Sequence, residues 1–100
     1  MIIIHLERKI NPEKEAEYID VMKKLAEVSR TEAGNISYSF YKDMEKEHTY
    51  GIVEVWENSE VLDVHQNTEH FRAFMKQSKA EKFAQGPPRV IVYEGEVSPN

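Results

Sequence analysis

The spacing of apolar residues along this chain switches four times between the two-residue repeat of a strand and the three-and-four repeat of a helix, and that order of switches limits the possible folds most closely. Residues 2–10, IIIHLERKI, are rich in β-branched side chains and put Ile2, Ile4, Leu6 and Ile10 on one face, Ile3, His5, Glu7 and Lys9 on the other. Because Ile3 and His5 leave that second face only partly polar, both faces of this first strand are expected to be covered. Residues 35–42, NISYSFYK, alternate Ile36, Tyr38 and Phe40 against Ser37, Ser39 and Tyr41. Residues 49–57 set Tyr50, Ile52, Glu54 and Trp56 against Gly51, Val53 and Val55, and apolar groups on both faces mark a central strand. A last strand is expected over 89–97, before a frayed Ser98-Pro99-Asn100 tail.

Between these lie two helical stretches. Asn11 followed by Pro12 is a helix start, with Glu13 in the positive first turn. The helix is expected to run to about Thr31, with Tyr18, Ile19, Met22, Leu25, Ala26 and Ser29 as its core stripe and Gly34 following it. A second helix is expected from a Ser59 cap, with a break near Asn67 and a restart at the Thr68 cap. Its expected inward residues include Leu62, His65, Phe71, Phe74, Met75 and Ser78, and Gly86-Pro87-Pro88 stops it.

The order strand, helix, strand, strand, helix, strand, with right-handed crossovers, packs two helices on one face of a four-stranded antiparallel sheet. This is an α+β, ferredoxin-like βαββαβ unit, expected to fill residues 1–100 as a single domain. The sheet's other face would carry an apolar set, and two copies pressed together there would bury on the order of 1,600 Å² as a homodimer.

A formal charge of -5 argues against a phosphate-binding surface, so nucleic acid is excluded as an expected partner. Without cysteine there is no thiolate nucleophile and no Cys-based metal site. No apolar run is long enough for a signal peptide or a membrane span, and the expected location is cytoplasmic. Nucleotide-binding and serine-hydrolase motifs are likewise absent from the sequence.

Chemistry concentrates in residues 54–74, EVWENSEVLDVHQNTEHFRAF. His65 and His70 can exchange protons near neutrality, and His70 falls in the first turn after the Thr68 cap. Against this stands the plainer reading that each imidazole satisfies a backbone group at a helix kink. On one unbroken helix the two rings would lie about 140° apart, and Asp63 and Glu69 are the only carboxylates nearby in sequence, so no metal is expected. Trp56 could stack on a flat substrate and Tyr38 could direct a hydroxyl at it, with Phe71 and Phe74 as walls, although aromatic residues of all three types commonly build cores. Glu54, between Val53 and Val55, is costly to bury without a partner; Arg8, Lys9, Arg72 and Arg89 are the expected ones, and orienting a histidine is the functional alternative.

The Glu54-x-Trp56 strand end, the Leu62-x-x-His65 step and the His70-Phe71 step resemble the antibiotic biosynthesis monooxygenase superfamily of small dimeric α+β barrel proteins. The resemblance spans nearly the whole chain and touches Gly34, Tyr38 and Phe74 as well. It implies a homodimer with a pocket between sheet and helices that oxidises a phenolic, quinol or anthrone-type small aromatic molecule with dioxygen and no cofactor. The superfamily's haem-degrading branch is a poor match, because strand one lacks its Asn, His65 stands at its helix Trp, and Met75 stands at its ligating His. Two other readings stay open. One is a non-catalytic dimer that binds an aromatic ligand; the other is an isomerase or lyase of a small hydroxylated signalling molecule. The oxidase reading expects His65, His70 and Trp56 to border one open apolar hollow.

Overall fold

The computed structural model describes residues 1–96, so the expected end of the last strand at Val97 and the 98–100 tail lie outside the described residues. The strands are β1 (Ile2–Lys9), β2 (Asn35–Lys42), β3 (Thr49–Trp56) and β4 (Arg89–Glu94); the helices are α1 (Glu15–Ser29), α2 (Ser59–Gln66) and α3 (Glu69–Ala80). They form one antiparallel sheet in the order β2-β3-β1-β4, the ferredoxin-like arrangement. No described helix is long and apolar enough to cross a membrane.

Register explains the two faces. Ile4 pairs with Glu54, Leu6 with Ile52 and Tyr38 with Glu54, so the even-numbered positions of β1, β2 and β3 lie under the helices. Ile2, Ile4, Tyr38, Tyr50, Ile52 and Trp56 are buried there against Tyr18, Met22, Leu25 and Ala26 of α1. The Tyr18 ring meets Tyr50 edge-on at 5.3 Å and Phe83 at 5.9 Å. On the opposite face Ile3 pairs with Val55 and Tyr93, and His5 with Val53 and Ile91. Tyr93 stays half-exposed there, and among the described residues no helix covers this face.

Several local expectations change. A 3-10 turn over Pro12–Lys14 precedes α1, and Asn11 makes no side-chain cap; its amide donates instead to the Lys82 carbonyl at 2.6 Å. The cap of α2 is Asn58, which accepts from the Val61 amide, rather than Ser59. Ile36 is 46 % exposed because a register shift between Asn35 and Ser37 takes it out of the alternation. Met75, expected inward, is 47 % exposed, because α3 leaves the β4 side of the sheet uncovered. Phe83, unremarked in the sequence, has no exposed surface and closes the core under the Ile10–Ala84 bridge.

Candidate active site

The α1–β2 turn and the α2–α3 break are brought together by one glycine. Gly34 has φ +86°, its carbonyl accepts from the Glu57 amide at 2.9 Å, and a Cβ placed on it would lie 2.6 Å from Val61. Only a residue without a side chain lets α2 sit this close to the turn. That contact sets Glu32, two residues earlier, beside the histidines of α2 and α3.

The break itself turns the second histidine back. Thr68 Oγ1 donates to the His65 carbonyl at 2.7 Å and accepts from the Phe71 amide at 3.2 Å, so α2 stops and α3 restarts with a new axis. The 140° divergence expected on one helix therefore does not occur. Both imidazoles instead meet Glu32 Oε2: His65 Nδ1 at 2.8 Å and His70 Nε2 at 2.8 Å. A carboxylate oxygen only accepts, so in the neutral rings the protons sit on His65 Nδ1 and His70 Nε2, leaving His65 Nε2 and His70 Nδ1 as the lone-pair nitrogens.

Behind His65 lies Glu54. Its expected basic partners are not used; Oε1 accepts from Trp56 Nε1 at 3.1 Å and stands 3.7 Å from His65 Nε2. Burial pushes the Glu54 pKa up, the Trp56 hydrogen bond and His65 pull it down, and nearby Glu32 pushes it up again, for a net rise. A protonated Glu54 presents an O–H toward the His65 Nε2 lone pair, whereas an ionised one would set two acceptors against each other. Glu32 Oε1 and His65 Nε2 are both buried without a hydrogen-bond partner among the described residues.

The two histidines differ in surroundings. His65 is 1 % exposed, its ring 4.5 Å from Trp56, 5.0 Å edge-on from Phe71 and 6.1 Å from Tyr38. Trp56 and Tyr38 are themselves buried, so the space that the sequence assigns to a hollow between imidazoles and indole is filled by their own rings. Burial, with Glu54 next, drives the Tyr38 hydroxyl well above the usual tyrosine range. His70 instead lines an open groove of about 310 Å³ between α1 and α3, walled by Val21, Leu25, Val28 and Phe74. Of the residues singled out from sequence, His70 and Phe74 line this groove; Glu54, Trp56, Tyr38, His65 and Phe71 do not.

Glu32 is the residue that sequence reasoning missed. It lies 33 positions before His65, in a turn where an acidic side chain has no local signal to set it apart. Its presence also alters the metal argument. Glu32, His65 and His70 each offer one ligand atom within 4.8 Å of the others, a two-histidine, one-carboxylate set that could hold a metal ion.

Comparison with known proteins matches this architecture. The antibiotic biosynthesis monooxygenase family model matches residues 1–77. An uncharacterised Synechocystis protein is 40 % identical over 70 residues, 70 % of this chain and 48 % of the relative, so the chain spans about half of that protein's length. A provisionally named monooxygenase of Bacillus subtilis, YcnE, is 30 % identical over 79 residues, covering 79 % of this chain and 83 % of the relative. A crystal structure from Deinococcus radiodurans, provisionally assigned as an antibiotic biosynthesis monooxygenase, superposes with a TM-score of 0.88 at 20 % identity, covering 100 % of this chain and 97 % of the other. With the family model spanning β1 through most of α3, the chain belongs to the antibiotic biosynthesis monooxygenase family.

Proposed function

We propose that this protein is a cofactor-independent monooxygenase that oxidises a phenolic, quinol or anthrone-type small molecule with dioxygen in the groove between α1 and α3. The observation that carries the reading is the Glu32 oxygen bonded to His70 Nε2, which leaves Nδ1 as the free base of a residue lining an apolar groove. A histidine held through one nitrogen by a carboxylate is a positioned general base whose imidazolium has a counter-charge ready.

In this mechanism His70 Nδ1 takes the phenolic proton while Phe74, Val21 and Leu25 hold the ring. The anion is electron-rich enough to react with dioxygen at a ring carbon. One oxygen atom becomes the new carbonyl, the other leaves as water with the phenolic hydrogen and the hydrogen of the attacked carbon, and the substrate supplies all four electrons. His65, Glu54, Trp56, Tyr38 and Phe71 are proposed as the packed support behind Glu32. His65 acts as a positioning residue rather than as the base. The homodimer is proposed through the partly exposed residues Ile3, Val53, Ile91 and Tyr93 of the sheet face opposite the helices.

Oxygen uptake against a panel of hydroquinones and anthrones tests the reading. His70→Ala is expected to lower turnover by roughly a hundredfold or more on a substrate the wild-type protein consumes. Consumption unchanged in His70→Ala, or absent across the panel, would remove it.

A further inference from the structure

At the far end of α3, on the β1 side, lies a second and larger concavity of about 680 Å³. Four of its lining residues are Arg8 of β1, Lys76 and Lys79 of α3, and Lys82 of the following turn, and no lining residue is acidic. In a chain of net charge -5 this is an unusual concentration of one sign. None of the four cations has an ion-pair partner among the described residues. The nearby Glu81 carboxylate is taken up by Lys14 at 2.9 Å.

Arg8 provides a second, independent sign. Its Nε is buried and has no hydrogen-bond partner among the described residues, although a guanidinium donor withdrawn from water ordinarily has an acceptor. Tyr18 is the phenol near enough to feel its charge, but burial holds that hydroxyl at a pKa of about 12, so it stays neutral and offers no counter-charge. Asn11 and Ser78 add polar groups to the lining. A rigid cationic fork, three ammonium groups and two neutral polar side chains around one hollow make an incomplete electrostatic site.

We propose that this cleft binds a small organic anion carrying two or more negative charges, either a polycarboxylate or a phosphate ester. Arg8 would take one acidic group through its planar fork, and the lysines would act as point charges around the rest. The volume lies within the ordinary range for metabolite-sized ligands. A long polyanion does not fit, because the remaining surface is net negative and would repel a nucleic acid or an anionic bilayer beyond the cleft. The cleft is distinct from the His70 groove: the two share no lining residue, Met75, Lys76, Ser78 and Lys79 of α3 lining one and His70, Ala73, Phe74 and Gln77 the other. The proposal therefore stands apart from the oxidase reading.

Isothermal titration and thermal unfolding of the whole chain, with citrate and pyrophosphate against sodium chloride of equal ionic strength, test it. Citrate, pyrophosphate or both should bind and raise Tm; which one does assigns carboxylate or phosphate chemistry. Arg8→Gln and the double variant Lys79→Gln/Lys82→Gln should each weaken binding at least tenfold, and Lys23→Gln, on exposed α1 surface, should not. Without ligand, Arg8→Gln should leave Tm equal or higher, since it removes an uncompensated cation, whereas a purely structural Arg8 would lose stability. Should Arg8→Gln fail to fold, the surface lysine variant decides alone. No binding beyond chloride, unchanged affinity in the variants, or binding to duplex DNA or phosphatidylglycerol vesicles but to neither small anion, would overturn it.

Discussion

Replacing Glu32 by Gln tests the centre of the argument, because it keeps the shape of the side chain and removes only its charge. The carboxylate accepts from both imidazoles at 2.8 Å and is 12 % exposed. Hydrogen bonds to a charged acceptor contribute about 1 kcal/mol more than neutral ones, so two of them put about 2 kcal/mol at stake. The new amide nitrogen would either take the place of Oε1, which has no partner, or face an imidazole N–H. Relief from burying a charge offsets part of this, leaving a net loss of about 1–2 kcal/mol, roughly 5–15 °C in Tm for a domain of this size. Turnover should fall further. A counter-charge beside the forming imidazolium is worth up to about 4 kcal/mol at an effective dielectric near 20, and loss of about 2–3 kcal/mol of it corresponds to roughly 30- to 160-fold. The assay is oxygen uptake on a quinol the wild-type protein oxidises, run as a cycle with His70→Ala. If Glu32 acts through His70, the double variant is no slower than His70→Ala alone. A Glu32→Gln enzyme within threefold of wild type, or additive losses in the double variant, would refute the relay.

Three further outcomes follow from the same geometry. Gly34→Ala adds a Cβ 2.6 Å from Val61 at φ +86°, and should cost about 2–5 kcal/mol in denaturant unfolding while lowering turnover by moving Glu32; a loss under 1 kcal/mol would contradict the packing. Glu54→Gln should be more stable than wild type by on the order of 1 kcal/mol at pH 8, its carbonyl still accepting from Trp56. The sign follows from the raised pKa: folded Glu54 holds its proton more tightly than the unfolded chain, so wild-type stability falls as pH rises from 4.5 through the folded pKa and then levels. Its difference from the non-titrating Gln variant should widen over that window, and a Gln variant less stable at pH 8 would be inconsistent with this. Val53→Asp, on the sheet face opposite the helices and paired with His5, should convert the proposed dimer to a monomer in sedimentation experiments; an unaltered sedimentation coefficient would contradict an interface on this face.

The element order and the sheet's two faces were legible in the chain because period-two and three-and-four patterns are local. Residues such as Ile2, Ile4, Tyr50 and Ile52 follow directly from alternation. Asn11 and Ser59 both satisfy the cap rules locally, but Asn11 is drawn to Lys82, 71 residues away, and the cap of α2 falls one residue earlier, on Asn58. The functional residues split in the same way. His65, His70 and Glu54 could be named from their types and positions, but the Trp56–Glu54–His65 packing that closes the expected hollow depends on rings meeting across β3 and α2.

Local patterning alone determined that this chain makes four strands and a broken second helix, and it marked where imidazoles would stand. Only the tertiary structure decided that Gly34 would seat α2 against the α1–β2 turn, that Glu32 would be shared by both histidines, and that His70 rather than His65 would line an open groove. The physical reason is distance in sequence: a hydrogen bond across 33 residues leaves no periodic trace, because it is made by the docking of elements whose own patterns are already complete.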